Sequence, residues 1–326
     1  MSTQECPKQF IDVMGCGRTL IQLTVDRFEG LCPKENIWVV TSERYASVVR
    51  EQLPDIPEEN ILKEPCRRNT APCIAMAAMH IRSIHPDANM IVAPADHLIL
   101  REKEFNEAIH KGLEFVAQSP QLLTLGIKPT RPDTGYGYIQ IEENKGNEFY
   151  KVKTFIEKPQ LEFAEVFVES DEFYWNSGIF LWNVNTIMDA FQSLMPEIYT
   201  KITSGLDDFA SCPNISIDYA IMEKADEIFV FPANFGWSDL GTWGSLYELS
   251  DKDEKNNVSL HSEALFYESE GNVVTLEPGK LAVIQGMQDM IVAEQNGILL
   301  ICKKEEEQRI KHFVADAQEK FGGKYN

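Results

Sequence analysis

The feature that most constrains the fold is the alternation of strand-like and helix-like runs along the first part of the chain. Helical periodicity covers Arg18–Leu31, Thr70–His85 and Glu104–Gln118, and the apolar runs between them are Ile37–Thr41, Met90–Ala93 and Leu122–Leu125. Alternation at these lengths indicates βαβ units. The sequence therefore predicts an α/β domain with a largely parallel sheet.

The pattern changes beyond about Gly135. Further strands are predicted at Tyr136–Ile141, Tyr150–Ile156, Gly178–Trp182 and Ile228–Phe231, with a polar turn at 142–147. The charged stretch Asp251–Asn257 is the candidate boundary, which divides the chain into domains 1–250 and 251–326. Short strands beyond it, at Asn272–Thr275, Leu281–Ile284, Asp289–Ala293 and Ile298–Cys302, indicate a small β-rich unit or a solenoid fragment, and Lys303–Phe321 is typical of a terminal helix.

The composition excludes several classes of function. The net charge of −21 argues against nucleic acid or an anionic membrane as a partner, because binding those needs a basic surface. It does not exclude phosphorylated small molecules as ligands, provided that a few lysines, backbone N–H groups and a metal bind them. No apolar run approaches the roughly 18 residues that span a bilayer. The seven cysteines are scattered without a CxxC pair, which favours a reducing cytoplasm.

Two aspartates at the ends of apolar runs are the first candidates for chemistry. Asp96 follows the predicted strand Met90–Ala93 after a proline, and ligands of open α/β sheets gather at such strand ends. Asp239 lies far downstream, in a loop punctuated by glycine and tryptophan. A single aspartate after a strand is most often a helix cap or turn residue, but two distant ones can share a hard divalent cation. His97 is better explained as a structural hydrogen-bonding residue than as a base.

Three further segments carry residue types that bind sugars or phosphates. Glu157 and Lys158 follow a predicted strand, where a carboxylate can bind sugar hydroxyls and an ammonium can face a phosphate. Gly137, between two tyrosines, lets the backbone approach a ligand closely. Asn176 precedes a strand and needs a hydrogen-bond partner if buried, for which a sugar hydroxyl is one candidate. Ordinary structural explanations also exist: Glu157 and Lys158 can form a surface ion pair, and Gly137 can mark a β-bulge or the start of a hairpin.

The segment Arg67–Pro72 leads into the helix predicted from Thr70. Asn69 or Thr70 is positioned to cap that helix, which is the simplest interpretation of both residues. A cap and a base-binding role can coexist, because a helix N-terminus exposes unpaired N–H groups. The sequence contains no Ser-His-Asp order, Walker loop, HExxH motif or dinucleotide GxGxxG motif. Each segment is a modest signal by itself, and their order is more specific.

Taken in order, these segments resemble the sugar-nucleotide pyrophosphorylases, a family of nucleotidyltransferases. The resemblance extends from Cys6 to about Leu249 and is weaker beyond. The matching motifs are Pro7–Phe10, Gly17–Gln22, Glu64-Pro65 with Arg68–Pro72, Ala93–His97, Gly126–Pro132, Thr134–Ile139, Phe155–Pro159, Trp175–Phe180, Ile215–Ala220 and Trp237–Trp243. Ten ordered motifs leave little room for chance.

The resemblance implies a Rossmann-like domain, with a mixed sheet and helices on both faces, followed by a partial left-handed β-helix that ends in a helix. It also implies transfer of GMP from GTP to mannose 1-phosphate with Mg²⁺, giving GDP-mannose and pyrophosphate. By matching position, it implies that Asp96 and Asp239 are metal ligands and that Lys8 and Lys158 are catalytic lysines that offset phosphate charge. It also implies that Gly137, Glu157 and Asn176 seat the sugar, and that Asn69 and Thr70 lie near the guanine.

The N-terminus departs from the family pattern. Family members begin with a strand and a glycine-rich loop that cradles the triphosphate, and only then reach the segment corresponding to Pro7-Lys8. Met1 aligns just after that loop, so we expect the natural chain to begin upstream. Burial of the missing central strand would contribute on the order of 5–10 kcal/mol, which rivals the stability of a typical domain. We therefore expect the chain as it stands to be impaired in folding and catalysis.

Two other interpretations stay open. The same fold can serve another nucleotide and sugar 1-phosphate, such as UTP and glucose 1-phosphate. Alternatively, the chain is a non-catalytic regulatory protein that binds a sugar nucleotide without turnover. Strand edges in the C-terminal part would also allow a homodimer.

Overall fold

The computed structural model describes residues 6–322 except 15, 143–145, 261, 278 and 296. Contacts divide the chain into two compact units. The larger unit comprises Ile21–Ala95 and Ile99–Trp237, and the smaller unit comprises the described residues of Met1–Leu20, Asp96–Leu98 and Ser238–Asn326. The boundary at 250/251 stays a prediction. The interpretation of the N-terminus and part of the turn at 142–147 lie outside the described residues.

The described residues form nine α-helices and sixteen strands. The helices are α1 (Leu20–Asp26), α2 (Ala46–Gln52), α3 (Thr70–Ile84), α4 (Glu102–Gln118), α5 (Leu161–Glu169), α6 (Val184–Leu194), α7 (Pro196–Thr203), α8 (Trp243–Leu249) and α9 (Ile310–Phe321). The strands of the larger unit and of its junctions with the smaller one are β1 (Val39–Ser42), β2 (Ile61–Glu64), β3 (Asn89–Val92), β4 (Leu98–Ile99), β5 (Leu122–Ile127), β6 (Gly137–Ile141), β7 (Tyr150–Glu157), β8 (Phe173–Asn183), β9 (Ile228–Ala233) and β10 (Trp237–Ser238). The remaining strands are β11 (Val258–Leu260), β12 (Glu263–Tyr267), β13 (Val273–Thr275), β14 (Leu281–Gln285), β15 (Met290–Gln295) and β16 (Ile298–Lys303).

The main sheet of the larger unit has six strands in the order β3-β8-β5-β9-β7-β6, and β8 also pairs with β6. Only β5 and β9 run parallel among the pairings of this sheet in the described residues. The prediction of a largely parallel sheet is therefore wrong, whereas a mixed sheet is confirmed. The cause is β8, whose eleven residues pair antiparallel with three strands and take the places that parallel neighbours would occupy.

Strand β8 separates two hydrophobic cores of the larger unit. Successive residues of a strand point to opposite faces, so its side chains alternate between the cores. Phe180 and Trp182 pack with residues of α3, α6 and α7. Ile179 and Leu181 pack with residues of α4 and α5. The expected helices on both faces of the sheet are therefore present.

The predicted helices over Thr70–His85 and Glu104–Gln118 are confirmed as α3 and α4. The helix predicted over Arg18–Leu31 is shorter, because only α1 is regular and the chain then continues in turns. The terminal helix is divided, since a 3-10 helix at Lys304–Arg309 precedes α9. The short strands β2, β4, β10, β11 and β12 were not predicted from the sequence.

The C-terminal strands of the smaller unit stack in parallel. β11, β13 and β15 pair in parallel, as do β12 and β14, and β16 closes the first set antiparallel. Asn272 lies one coil beyond Asn257, to whose Oδ1 its Nδ2 donates at 2.9 Å across a separation of 15 residues. Coiled parallel strands of this kind agree with a solenoid fragment, while its left-handed twist stays a prediction. None of the described helices is long and apolar enough to cross a bilayer.

Candidate active site

In the smaller unit, Lys8 connects the two predicted metal ligands. Lys8 Nζ lies 3.1 Å from Asp96 Oδ2 and donates a hydrogen bond to the main-chain carbonyl oxygen of Asp239. The other carboxylate oxygen of Asp96, Oδ1, lies 3.8 Å from His97 Nε2. One ammonium group therefore contacts the carboxylate of Asp96 and the backbone of Asp239, which brings the two residues to the same place.

The loop after β10 holds Asp239 by backbone geometry. Asp239 Oδ1 accepts a hydrogen bond from Gly241 N at 2.8 Å, and Leu240 between them adopts a left-handed φ of +48°. A Cβ atom at Gly241 would lie 2.5 Å from Asp239 Oδ2, so any larger residue here would displace that carboxylate. Thr242 then caps α8, because its Oγ1 accepts from Ser245 N at 3.1 Å. The carboxylate is thus positioned before any ligand binds.

The donor atoms around Lys8 suit a hard divalent cation. Asp96 and Asp239 offer only oxygen, and Mg²⁺ is commonly held by one or two carboxylates while water and substrate phosphates complete its octahedron. The described residues contain no cluster of three or more His, Cys, Asp or Glu that would form a cage made by the protein alone. The residues present therefore fit a divalent cation whose remaining ligands come from outside the protein.

In the larger unit, Gly137 and Glu157 are paired across β6 and β7. A Cβ atom at Gly137 would lie 2.5 Å from Glu157 Oε2 and 3.6 Å from Asn176 Cβ. The three predicted sugar-binding residues are therefore brought together. The absent side chain of Gly137 leaves space beside the Glu157 carboxylate, which is still 24% exposed.

Lys158 forms the ion pair that the sequence analysis considered as the structural alternative. Its Nζ lies 3.6 Å from Glu157 Oε1, and its side chain is 65% exposed. Such exposed pairs contribute little, typically about 0–1 kcal/mol, so Lys158 can turn to a phosphate at low cost. Burial raises the pKa of Glu157, the negative charge of Asp218 raises it further, and Lys158 opposes both.

Asp218 is a site residue that the sequence analysis missed. Asn176 Nδ2 donates to Asp218 Oδ1 at 2.8 Å. Burial raises the pKa of Asp218, whereas hydrogen bonds from Asn176, its own backbone N–H and Ser216 oppose that shift. Asp218 is the first residue of a π-helical turn, Asp218–Met222, and such turns are rare and often found at functional sites. The sequence pointed to Asp218 only through the motif Ile215–Ala220, which matched the family although no role was assigned to Asp218.

Asn69 and Thr70 form the N-terminus of α3, as predicted. Asn69 Oδ1 accepts from Thr70 N at 2.8 Å, and Asn69 adopts a φ of +65°. Thr70 Oγ1 accepts from Ile217 N at 2.8 Å, and Ala71 N donates to Ile215 O at 3.1 Å. The start of α3 is thereby tied to the segment that carries Asp218, so the predicted base-binding and sugar-binding residues belong to one continuous network.

Glu64, the last residue of β2, is a second residue that the sequence analysis missed. Its Oε1 is buried and has no hydrogen-bond partner among the described residues. Burial raises the pKa of Glu64, opposed by a hydrogen bond with Cys73 and by the charge of Arg67. Because Cys73 lies in the first turn of α3, Glu64 sits beside the helix start that Asn69 caps. A buried oxygen without a partner is costly unless a ligand donor satisfies it.

A family model described as nucleotidyl transferase matches residues 3–256. The chain belongs to this family. This nucleotidyl transferase is 36% identical to a mannose-1-phosphate guanylyltransferase from Escherichia coli, a match that covers 96% of the chain and 71% of the relative. It is also 36% identical to mannose-1-phosphate guanylyltransferase RfbM from Salmonella typhimurium, over 96% of the chain and 68% of the relative.

Solved structures agree with this assignment. The fold matches a mannose-1-phosphate geranyltransferase from Thermus thermophilus with a TM-score of 0.88 and 27% identity, covering 97% of this chain and 94% of that one. It also matches a mannose-6-phosphate isomerase from Helicobacter pylori with a TM-score of 0.64 and 26% identity, covering 73% of this chain and 97% of that one. The expected resemblance is therefore confirmed, and the nucleotidyl transferase is an enzyme.

Proposed function

We propose that the protein transfers GMP from GTP to mannose 1-phosphate, giving GDP-mannose and pyrophosphate. The observation that carries the proposal is the set of Glu157 and Asn176 around the bare backbone of Gly137, which offers acceptors and donors to a small polyol. The names of the relatives, which are 34–37% identical, support mannose 1-phosphate as that polyol.

Glu64 supports guanine as the base. Guanine carries neighbouring N–H donors on its ring nitrogen and its 2-amino group, and a carboxylate accepts such donors. The unpartnered Oε1 of Glu64 is an acceptor of this kind beside the start of α3. Asn69 and Thr70 would then lie near the base, with Thr70 anchoring the Ile215–Ala220 segment rather than reading the base through its hydroxyl.

The reaction needs positioning and charge neutralisation more than proton transfer. A phosphate monoester has a second pKa of about 6, so the sugar phosphate is already largely ionised at neutral pH and needs no general base. Its oxygen forms a bond to the α-phosphorus of GTP, while the bond between that phosphorus and the α–β bridging oxygen breaks and pyrophosphate leaves. Such phosphoryl chemistry depends on in-line geometry and electrostatic stabilisation.

The chain supplies those effects through its lysines and acidic residues. Lys8 and Lys158 would offset the negative charge of the phosphates, and Glu157 and Asn176 would orient the sugar. Asp96 and Asp239 would hold Mg²⁺, which when bound neutralises phosphate charge. Since Lys8 contacts the Asp96 carboxylate and the Asp239 backbone, its ammonium group would lie within reach of a phosphate bound beside these residues.

The test is pyrophosphate release from a panel of nucleotides and sugar 1-phosphates with Mg²⁺, comparing the wild type with Asp239→Asn. We expect the highest kcat/KM for GTP with mannose 1-phosphate, and loss of turnover in the variant. Preference for UTP with glucose 1-phosphate would overturn the substrate assignment. Binding of GDP-mannose by a well-folded protein without turnover would instead indicate a regulatory role. A cytoplasmic location and a homodimer stay predictions.

A further inference from the structure

The Asn176 side chain is held from both ends. Its Nδ2 donates to Asp218 Oδ1 at 2.8 Å, and its Oδ1 accepts from Gly178 N at 3.1 Å. The Thr124 hydroxyl lies 3.3 Å from the same Oδ1, but it also lies 3.2 Å from Ile179 O and has only one hydrogen to donate. The carboxylate and the Gly178 amide therefore determine which way the Asn176 amide points.

Rotating this amide by half a turn would lose both contacts. The Nδ2 group would then face the Gly178 N–H, donor against donor, and Oδ1 would face the Asp218 carboxylate, acceptor against acceptor. An amide nitrogen carries two hydrogens, of which Asp218 takes one. The second N–H is consequently directed by Asp218, although Asp218 itself need not touch a ligand.

Asp218 is expensive to maintain in this position. Withdrawing a carboxylate from water costs free energy, and burial is the largest influence on Asp218, whose pKa it raises. The π-helical turn that begins at Asp218 is likewise an uncommon conformation, and Thr70 fixes its approach through Ile217 N. A costly carboxylate in contact with a sugar-binding residue calls for a role in the site.

We propose that Asp218 is a positioning residue for the sugar phosphate: it fixes the Asn176 amide so that the remaining N–H donates to one hydroxyl of the sugar. This inference rests on the proposed function, because it assumes that Asn176 contacts the sugar. It goes further by assigning sugar selectivity to a residue that acts through Asn176.

Three variants separate this role from general structural damage. Asp218→Ala removes the acceptor and should raise KM for mannose 1-phosphate about 5- to 10-fold, as expected for a weakened hydrogen bond between the Asn176 amide and a neutral sugar hydroxyl, with KM for GTP changed less than about 2-fold. Asp218→Asn keeps one acceptor oxygen and should recover most of the sugar affinity. Glu223→Gln is the matched control, since Glu223 ends the same turn as an exposed carboxylate near Glu157 and should leave both KM values unchanged.

A second measurement needs no substrate. In ¹⁵N-labelled protein, the side-chain amide of Asn176, assigned by its loss in Asn176→Ala, should show one proton that shifts upfield in Asp218→Ala and remains in Glu223→Gln. Absence of that shift would overturn the contact on which the inference depends. An unchanged sugar KM in Asp218→Ala, with the NMR shift present, would overturn the positioning role.

The same experiment distinguishes failure of the proposed function. If the wild type releases pyrophosphate with another nucleotide and sugar 1-phosphate but not with GTP and mannose 1-phosphate, the substrate assignment fails. The KM comparison is then made with the sugar that is used, and a selective rise in Asp218→Ala still supports the positioning role. A folded wild type that neither turns over any pair nor binds mannose 1-phosphate overturns both.

Discussion

The sharpest prediction concerns Gly137, whose missing side chain keeps the space beside Glu157 open. In Gly137→Ala, the new Cβ would lie 2.5 Å from Glu157 Oε2, which is 0.9 Å short of the 3.4 Å at which ordinary contact begins. The carboxylate would have to retreat by about that distance. A displacement of about 1 Å in a site that positions substrate can cost about 100-fold in rate. We therefore expect kcat/KM for mannose 1-phosphate to fall about 100-fold.

The assay is pyrophosphate release with GTP and Mg²⁺, measured while one substrate is varied and the other is saturating. KM for GTP should change less than about 3-fold, because the three described atoms nearest to the methyl group all belong to Glu157 or Asn176. A matched control is Gly244→Ala, whose Cβ would have no neighbour closer than 3.6 Å, and whose activity should equal that of the wild type.

A double-mutant cycle tests whether the effect passes through Glu157. Without the Glu157 carboxylate, the methyl group meets Asn176 Cβ at 3.6 Å, an ordinary contact. Gly137→Ala should therefore cost less than about 3-fold in a Glu157→Ala background, since mutations that act through one contact are not additive. Full additivity of the two substitutions, or a kcat/KM for mannose 1-phosphate within 2-fold of the wild type in Gly137→Ala, would refute the reasoning.

Three other predictions follow from the same geometry. Glu64→Gln should raise KM for GTP about 10-fold and reduce the preference for GTP over ITP, which lacks the 2-amino group. The preference is measured by letting the two nucleotides compete, and an unchanged preference would argue against base recognition by Glu64. Asp96→Asn should lower kcat about 100-fold or more and raise the Mg²⁺ concentration needed for half-maximal activity, whereas an unchanged Mg²⁺ dependence would argue against this ligand. Asp218→Asn should alter how thermal stability depends on pH. The pKa of Asp218 in the native protein lies above its ordinary value of 3.8, so the native wild type binds protons more readily than the unfolded chain. The stability of the wild type therefore falls as pH rises from the ordinary pKa through the native pKa. The Tm of the variant relative to the wild type should therefore be higher at pH 7 than at pH 4 in calorimetric scans, and the opposite trend would contradict the stated cause of the shift.

Several features were readable from local sequence because local interactions produce them. Helix α3 begins at Thr70 because the Asn69 side chain caps it and alanine-rich periodicity continues it. The strands β5 and β7 begin where apolar runs begin. The order of ten motifs likewise carried the family, which the match over residues 3–256 confirms.

The direction of the strands was not readable in this way. Each apolar run is equally compatible with a parallel or an antiparallel neighbour, since its composition records burial rather than partner. The parallel sheet expected from βαβ order was wrong because β8 enters between β3 and β5 in the opposite direction. Only long-range pairing decides that arrangement.

The site residues also divide into those that the sequence indicated and those that only the folded structure revealed. Sequence alone indicated Asp96, Glu157 and Asn176, because charged or amide side chains at strand ends stand out against apolar surroundings. Asp218 and Glu64 lie in motifs that matched the family, but no role was assigned to them because neither follows a strand predicted from the sequence. The tertiary structure brings Asn176 Nδ2 within 2.8 Å of Asp218, 42 residues away, and buries an oxygen of Glu64 that has no hydrogen-bond partner in the described part of the chain. Burial and hydrogen-bond geometry are properties of the folded chain, and here they decide which carboxylates can act on a ligand.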